Sequence, residues 1–202
     1  MQSSTLVLAA ALLSATMNLA GAAVIDFDSA PVSGGLPQMN AMAYSEDGYL
    51  LQSSLGDTLY HNDIFQPMTG LNTNGTAVLG WCGSYCGGVK TITLTGPGLI
   101  SLASFDVAAL VEGSGSGKLL VTGYLDAGGS VSQVVNYGDT WITASLAGFT
   151  RLTRVEIYSG SDVDVALDKL VVSAVPEPAS LALFGVAMAG AMLRRRETGR
   201  VR

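Results

Sequence analysis

The sequence is poor in the side chains that most often catalyse reactions or bind transition metals. It contains one histidine, His61, and two cysteines. Tetrahedral zinc needs four ligands, which argues against a zinc site, and a lone loop histidine is usually a surface residue. No serine lies in a Gly-x-Ser-x-Gly sequence. We therefore predict that the protein is not an enzyme. A hydrolase that uses two of the acidic residues stays open as an alternative.

Basic residues are scarce between the two ends of the chain. Residues 24–175 contain five basic side chains against 14 acidic ones, a net charge of −9. A domain with this charge repels nucleic acid and anionic lipid, so no nucleic-acid partner is expected.

Long apolar runs are missing from the middle of the chain and occur at its two ends. The first run, Leu6–Leu13, is shorter than the roughly 20 residues of a membrane-spanning helix. The small residues Ala20-Gly21-Ala22-Ala23 follow, and signal peptidase accepts such residues at its cleavage site. We predict a signal helix in a signal peptide over residues 1–23, cleaved after Ala22 or Ala23. No lysine or arginine precedes the run; a retained anchor or a buried core helix is the alternative.

The two cysteines agree with export. They lie in Trp81-Cys82-Gly83-Ser84-Tyr85-Cys86, and an even number of cysteines in an exported chain favours pairing. We predict a disulfide between Cys82 and Cys86 that holds a short local turn, with a metal site as the rival interpretation.

The carboxyl-terminal end combines a proline-rich segment, a short apolar run and an arginine cluster. Val175-Pro176-Glu177-Pro178 has two prolines that hold the backbone extended, which predicts an exposed spacer. The apolar run Leu181–Leu193 has 13 residues, about 20 Å as a helix, against a hydrocarbon core of roughly 30 Å. Positive flanks stay cytoplasmic, so the cluster Arg194–Arg196 leaves the large domain outside. A buried helix with a solvated basic end is the alternative.

This order of segments resembles the PEP-CTERM sorting domain from Val175 to about Arg196. In that family an exosortase, an integral membrane protease-like transpeptidase, recognises and removes the tail in bacteria that make extracellular polysaccharide. The resemblance implies a recognition motif, a transient short transmembrane helix and a stop signal. These correspond to Pro176, Glu177 and Pro178, to Leu181–Leu193, and to Arg194, Arg195 and Arg196.

The part between the ends predicts an all-β domain over residues 24–174, followed by the tail 175–202. Glycine-rich turns such as Ala127–Ser130 separate short apolar segments, and Val163, Val165 and Leu167 show the period of two of a half-buried strand. The expected fold is an antiparallel jelly-roll-like β-sandwich. The predicted strands are Val24–Phe27, Tyr49–Gln52, Ala77–Gly80, Val89–Thr95, Leu99–Val111, Lys118–Asp126, Val131–Tyr137, Thr140–Leu146, Thr153–Ser159 and Val163–Val172.

The two ends of this domain are similar to jelly-roll domains often found upstream of the sorting signal. The similar segments are Ile25-Asp26-Phe27-Asp28 and Val165–Val172, and such domains look like carbohydrate-binding modules. If the first and last strands pair, Asp26, Asp28 and Asp168 come close enough for a structural calcium site. The alternative is that these acids lie on solvent faces or bond to turn amides.

Aromatic side chains offer candidate sugar-stacking positions. Trp81 and Tyr85 flank the predicted disulfide in a glycine-rich loop, where we expect exposure and ligand binding. Core packing is the expectation for Trp141, because it lies within a predicted strand.

Together these features predict an exported, non-enzymatic structural or adhesion protein. It would reach the cell surface or extracellular matrix of a polysaccharide-producing Gram-negative bacterium. Its expected partners are signal peptidase, exosortase, the membrane transiently, and exopolysaccharide. The alternative is a glycan-binding module. No cofactor is expected other than the calcium considered above.

Overall fold

The chain is described from residue 21 to residue 175, with gaps. The computed structural model describes residues 21–28, 43–53, 59–62, 70–72, 74–81, 90–160 and 163–175. Within these ranges lie twelve strands and no helix. The predicted tail helix and residues 1–20 of the predicted signal peptide lie outside the described residues, whereas Ala22 and Ala23 at the end of the predicted signal peptide belong to the first strand. The strands are β1 (Ala22–Ile25), β2 (Ala43–Glu46), β3 (Tyr49–Ser53), β4 (Leu59–Asn62), β5 (Val78–Trp81), β6 (Lys90–Thr95), β7 (Ile100–Ala109), β8 (Gly117–Leu125), β9 (Ser130–Tyr137), β10 (Ile142–Ser145), β11 (Leu152–Ser159) and β12 (Val165–Ala174).

The first sheet consists of six antiparallel strands in the order β2-β3-β6-β11-β8-β9. Its central strand β11 shows why these residues form a sheet. Val155 and Ile157 are buried and alternate with the more exposed Glu156 and Tyr158. A strand that covers a core on one side requires this period of two. The sheet therefore has one buried face and one open face.

The second sheet is built around β12. One edge of β12 pairs with β7 from Val165 to Ala174, and β10 pairs with the far side of β7. The other edge of β12 pairs with β5 in its first half and with β1 in its second half. A single residue pair, Leu152 with Ile100, connects this sheet to the first one. The architecture is an antiparallel jelly-roll-like β-sandwich, which confirms the predicted fold class.

The core lies between the two sheets. Its largest fully buried side chains are Trp81, Phe27, Phe105 and Phe149. A smaller cluster of Val78, Leu110 and Ala166 has partly buried Leu71 and Trp141 packed against it. Val78 and Ala166 alternate along their strands with Leu79 and Leu167 of the main core. The smaller cluster therefore lies on the other face of the second sheet.

Ten of the twelve strands correspond to predicted segments, and β2 and β4 were missed. β2 and β3 form a hairpin whose two turn residues are Asp47 and Gly48. Both have positive φ, 49° and 80°, the backbone that two-residue hairpins favour and that Asp-Gly sequences adopt readily. The Asp-Gly pair was the signal for this hairpin. The flanking segment Ala43–Glu46 has little β-propensity of its own, because Tyr44 is its one strong strand former.

Gly123 provides a test of the core packing. A Cβ at this position would lie 2.9 Å from both Cδ atoms of Leu152 and 3.0 Å from the ring of Phe149. We expect Gly123→Ala to lower the free energy of unfolding by about 1–3 kcal/mol, since an overpacked core must shift. Chemical denaturation measures the change. The matched control is Gly98→Ala, where nothing lies within 4 Å of the added atom; equal losses in the two variants would contradict the packing described.

Candidate functional site

Asp168 is a buried carboxylate in the middle of β12, with no exposed surface. Its Oδ2 accepts hydrogen bonds from Asn74 Nδ2 at 2.7 Å and from Thr76 Oγ1 at 2.6 Å. Its Oδ1 accepts the backbone N–H of Lys169 at 2.7 Å. Burial raises the pKa of Asp168 above its ordinary value, although the bonds from Thr76, Asn74 and Lys169 act in the opposite direction.

The predicted calcium ligands Asp26, Asp28 and Asp168 accept hydrogen bonds from donors of the protein. The first and last strands do pair, with Ile25 opposite Leu170. However, Asp28 Oδ1 accepts the backbone N–H of Ala77 at 3.0 Å, and Asp26 Oδ1 accepts the N–H of Asp28 at 3.2 Å. Within the described ranges, no group of three or more acidic, histidine or cysteine side chains is arranged to hold a metal ion. Asp26 and Asp28 accept backbone N–H groups, in line with the alternative interpretation, whereas Asp168 is buried and also accepts from two side chains.

The predicted exposure of Trp81 is wrong. Its side chain is 1% exposed and belongs to the main core, because Trp81 is the last residue of β5 and has the inward orientation of Leu79. A sugar cannot stack on a ring in this position. Tyr85, Cys82 and Cys86 lie outside the described residues. Trp141 is partly buried against the smaller cluster, and its Nε1 donates to Asn72 Oδ1 at 3.1 Å.

A groove on the open face of the first sheet is the best candidate for a binding site. It has a volume of about 650 Å³ and is formed by β8, β9, β11 and the residues next to them. Its apolar floor is a row of three side chains on neighbouring strands: Tyr158 is paired with Leu120, and Leu120 with Val134. Their exposed fractions are 40%, 41% and 57%. Three large apolar side chains are thus left side by side in contact with solvent.

Polar side chains border this floor. Lys118 and Asn136 are paired in register and lie two residues along their strands from Leu120 and Val134. Ser116 completes the same end of the groove. Among the cations whose side chains the structure describes, Arg151, Arg154 and Lys169 lie within 4.0 Å of a carboxylate, and Lys118 does not. The ammonium group of Lys118 is therefore available as a donor at the border of the groove.

Farther along the same face, Tyr124, Arg154 and Glu156 form a closed network. Tyr124 Oη donates to Glu156 at 2.7 Å and Arg154 Nε donates to the same carboxylate at 3.0 Å. The guanidinium carbon of Arg154 lies 3.6 Å from the centroid of the Tyr124 ring. Arginine thus covers the Tyr124 ring, which leaves Tyr158 as the ring of this face that is open to a ligand.

The members of this network shift one another's pKa values. The hydrogen bond to Glu156 raises the pKa of Tyr124, so the phenol stays protonated and acts as a donor. Burial raises the pKa of Glu156, but bonds from Tyr124 and Arg154, together with the guanidinium charge, outweigh it and hold the pKa below its ordinary value. The carboxylate is therefore ionised and internally paired, which makes it unsuited to be a general acid.

The sequence reasoning missed Tyr158, although a signal was present. From residue 154 to residue 158, Arg154, Glu156 and Tyr158 alternate with the apolar Val155 and Ile157. This alternation places an aromatic ring on the solvent side of a strand. The register that brings Leu120 and Val134 beside the ring was not available from the sequence, because it depends on pairing between distant strands.

The fold defines the described part of the chain as an all-β sandwich, and the carboxyl-terminal end matches a known sorting motif. The family model of the PEP-CTERM protein-sorting motif matches residues 174–196. The chain therefore carries a PEP-CTERM sorting motif at these residues. The motif indicates export with sorting via the membrane and implies processing by an exosortase. In the part of the chain that the structure describes, no helix has the length and apolarity to span a bilayer.

Solved structures similar to this chain include several β domains. An F5/8 type C domain of a Bacteroides fragilis protein is 13% identical, with 68% of this chain and 99% of that chain covered and a TM-score of 0.42. A variant of a family 29 carbohydrate-binding module is 17% identical, with coverages of 81% and 95% and a TM-score of 0.44. The CBM22-1–GH10 modules of a Clostridium thermocellum xylanase are 13% identical, with coverages of 75% and 28% and a TM-score of 0.40.

All three TM-scores lie below 0.5, so the fold described above rests on the strand pairings of this chain. Among curated proteins no match is found.

Asp168 predicts a dependence of stability on pH. Because burial raises its folded-state pKa, its stabilising contribution is complete below the unfolded pKa of about 3.9 and is lost as the pH rises through the folded pKa. We expect the free energy of unfolding of the natural chain to decline with rising pH relative to Asp168→Asn, which does not titrate. Urea unfolding between about pH 3 and pH 8 measures this.

The control for this experiment is Asp47→Asn, at an exposed turn position where asparagine tolerates positive φ. This variant should keep the pH dependence of the natural chain. Parallel pH curves for the natural chain and Asp168→Asn would contradict the prediction.

Proposed function

We propose that this protein is a non-enzymatic adhesion protein of the cell surface or extracellular matrix of a Gram-negative bacterium, and that it binds extracellular polysaccharide in the groove on β8, β9 and β11. The observation that carries the proposal is the exposed row Tyr158–Leu120–Val134 with Lys118 and Asn136 at its border. The sorting motif supports delivery to the outside of the cell.

The chemistry of the groove fits a sugar ring. A pyranose presents an apolar face of C–H groups and an edge of hydroxyl groups. Tyr158 and its two aliphatic neighbours offer a flat apolar floor to the face, since aromatic rings provide large contact areas. Lys118 donates and Asn136 both donates and accepts, which suits hydroxyl groups that do both. Small-ligand sites usually combine an apolar floor with a small number of polar groups around it.

The size of the groove argues for an extended glycan over a protein partner. Three neighbouring strands span about 10 Å at 4.7–4.9 Å each. A stable protein interface buries about 800 Å² on each partner, which is more than three half-exposed side chains supply. The net charge of −9 over residues 24–175 argues against a nucleic acid on the same face.

The composition of the groove also supports a role without catalysis. Hydrolysis of a glycosidic bond commonly uses two carboxyl groups that flank it. Among the described residues that line the groove none is acidic, and Glu156 on the same face is paired with Arg154. A surface that holds a polysaccharide without cutting it serves adhesion.

Substitution of Tyr158 tests the site. We expect Tyr158→Ala to weaken binding to the exopolysaccharide of the producing bacterium by about tenfold, because the burial of a large side chain is lost. Affinity electrophoresis and a glycan array measure this. The matched control is Ile142→Ala, which removes an equally exposed apolar side chain, 40% exposed, from the other sheet. Failure of the natural chain to bind any glycan, or equal losses in both variants, would overturn the proposal.

Export and processing predict the ends of the mature chain. Mass spectrometry of protein recovered from the cell surface should find an amino terminus at Ala23 or Val24 and a carboxyl terminus between Pro176 and Pro178. Protein with intact ends at Met1 and Arg202 on the surface would count against processing.

A further inference from the structure

The last residues of β12 are paired with the neighbouring strands β7 and β1. Ser173 pairs with Ser101 of β7 on one edge and with Ala22 of β1 on the other. Ala174 pairs with Ile100. Beyond the strand, the backbone N–H of Val175 donates to the carbonyl of Leu99 at 2.8 Å. The sheet therefore holds the chain up to the residue before Pro176.

The sorting motif begins inside this sheet. Its match covers residues 174–196, so Ala174 and Val175 belong both to the motif and to the folded domain. Pro176 follows directly and has no N–H to donate. The Pro176-Glu177-Pro178 segment therefore begins directly after Val175, whose N–H still donates a hydrogen bond to the domain.

A processing enzyme and the sheet compete for the same backbone groups. Enzymes and receptors that take up an extended peptide commonly do so through its main-chain N–H and C=O groups. On the amino-terminal side of Pro176 these groups belong to residues 173–175. Residues 173 and 174 pair with β7, Ser173 also pairs with β1, and the N–H of Val175 donates to the carbonyl of Leu99 next to β7. Chain ends open locally at a lower free energy than the whole domain unfolds.

We infer that the substrate of the exosortase is a locally opened end of the folded domain, in which residues 173–175 have left β7 and β1. The rate of tail removal then depends on how often this end opens. The inference does not rest on the glycan groove, and either can fail without the other.

The amino-terminal cleavage acts on the same place. Ala22 is the first residue of β1 and the partner of Ser173 on one edge. Cleavage after Ala22 removes this residue and leaves Ser173 with Ser101 as its strand partner. Signal-peptide removal therefore loosens the end that the exosortase must open.

An insertion tests the inference in the full chain. Gly-Ser-Gly-Ser is inserted between Val175 and Pro176, and tail removal is followed by pulse-chase in a host that makes the exosortase. We expect removal to become about tenfold faster, because the opening step would then no longer require the breaking of one or two hydrogen bonds. The matched control carries the same insertion between Gly113 and Ser114, in the exposed loop that connects β7 to β8, and should be processed at the natural rate.

A cross-link tests the opposite direction. Residues 101 and 173 are direct antiparallel partners, a separation that a disulfide spans. Oxidised Ser101→Cys/Ser173→Cys should be processed more slowly than either single variant, and a reductant should restore the rate. An unchanged or slower rate after the Val175–Pro176 insertion, equal acceleration by the loop insertion, or natural processing of the cross-linked chain would each overturn the inference.

Discussion

The pairing of β12 is the constraint on which the rest of the structure depends. This strand receives β7 along one edge and both β5 and β1 along the other. Chain segments from the start, middle and end of the domain therefore meet on a single strand. The second sheet can form only after β12 is available, because this central strand is also the last strand in the chain. Such non-local pairing loses loop-closure entropy before the stabilising contacts form.

A bulge in β12 adapts this strand to the core. The main core contains Val165 and Leu167 from its first half and Leu170 and Val172 from its second half. Strict alternation would send the second pair to the opposite face. The register shifts after Asp168, and Lys169 has a φ of 48°, so one extra residue restores the inward orientation. Asp168 lies directly before this irregularity, and its buried carboxylate accepts hydrogen bonds from Asn74 and Thr76.

Our two proposals assign separate roles to the open face of the first sheet and to the end of the second sheet. The face displays Tyr158 and its apolar neighbours in a domain that is otherwise acidic, which suits contact with a largely uncharged ligand. The end of β12 connects directly to the sorting motif. The proposals therefore place binding and processing in different parts of one sandwich, and changes in one need not disturb the other.

Local patterns in the sequence were sufficient for the sorting motif, the all-β class and most strands. Pro176, Glu177 and Pro178 carry their meaning through local order along the chain, and strands such as β11 show their period of two without reference to any partner. The hairpin at Asp47-Gly48 was also readable in this way. What tertiary structure alone decided was which residues meet. Trp81 is buried because β5 lies against β12, Asp168 serves Asn74 and Thr76 in place of a metal, and Tyr158 lies beside Leu120 and Val134. These contacts join residues that are far apart in the chain. They depend on strand register, and a slip of one residue would turn every side chain of a strand to the opposite face. The packing of the whole sandwich sets this register.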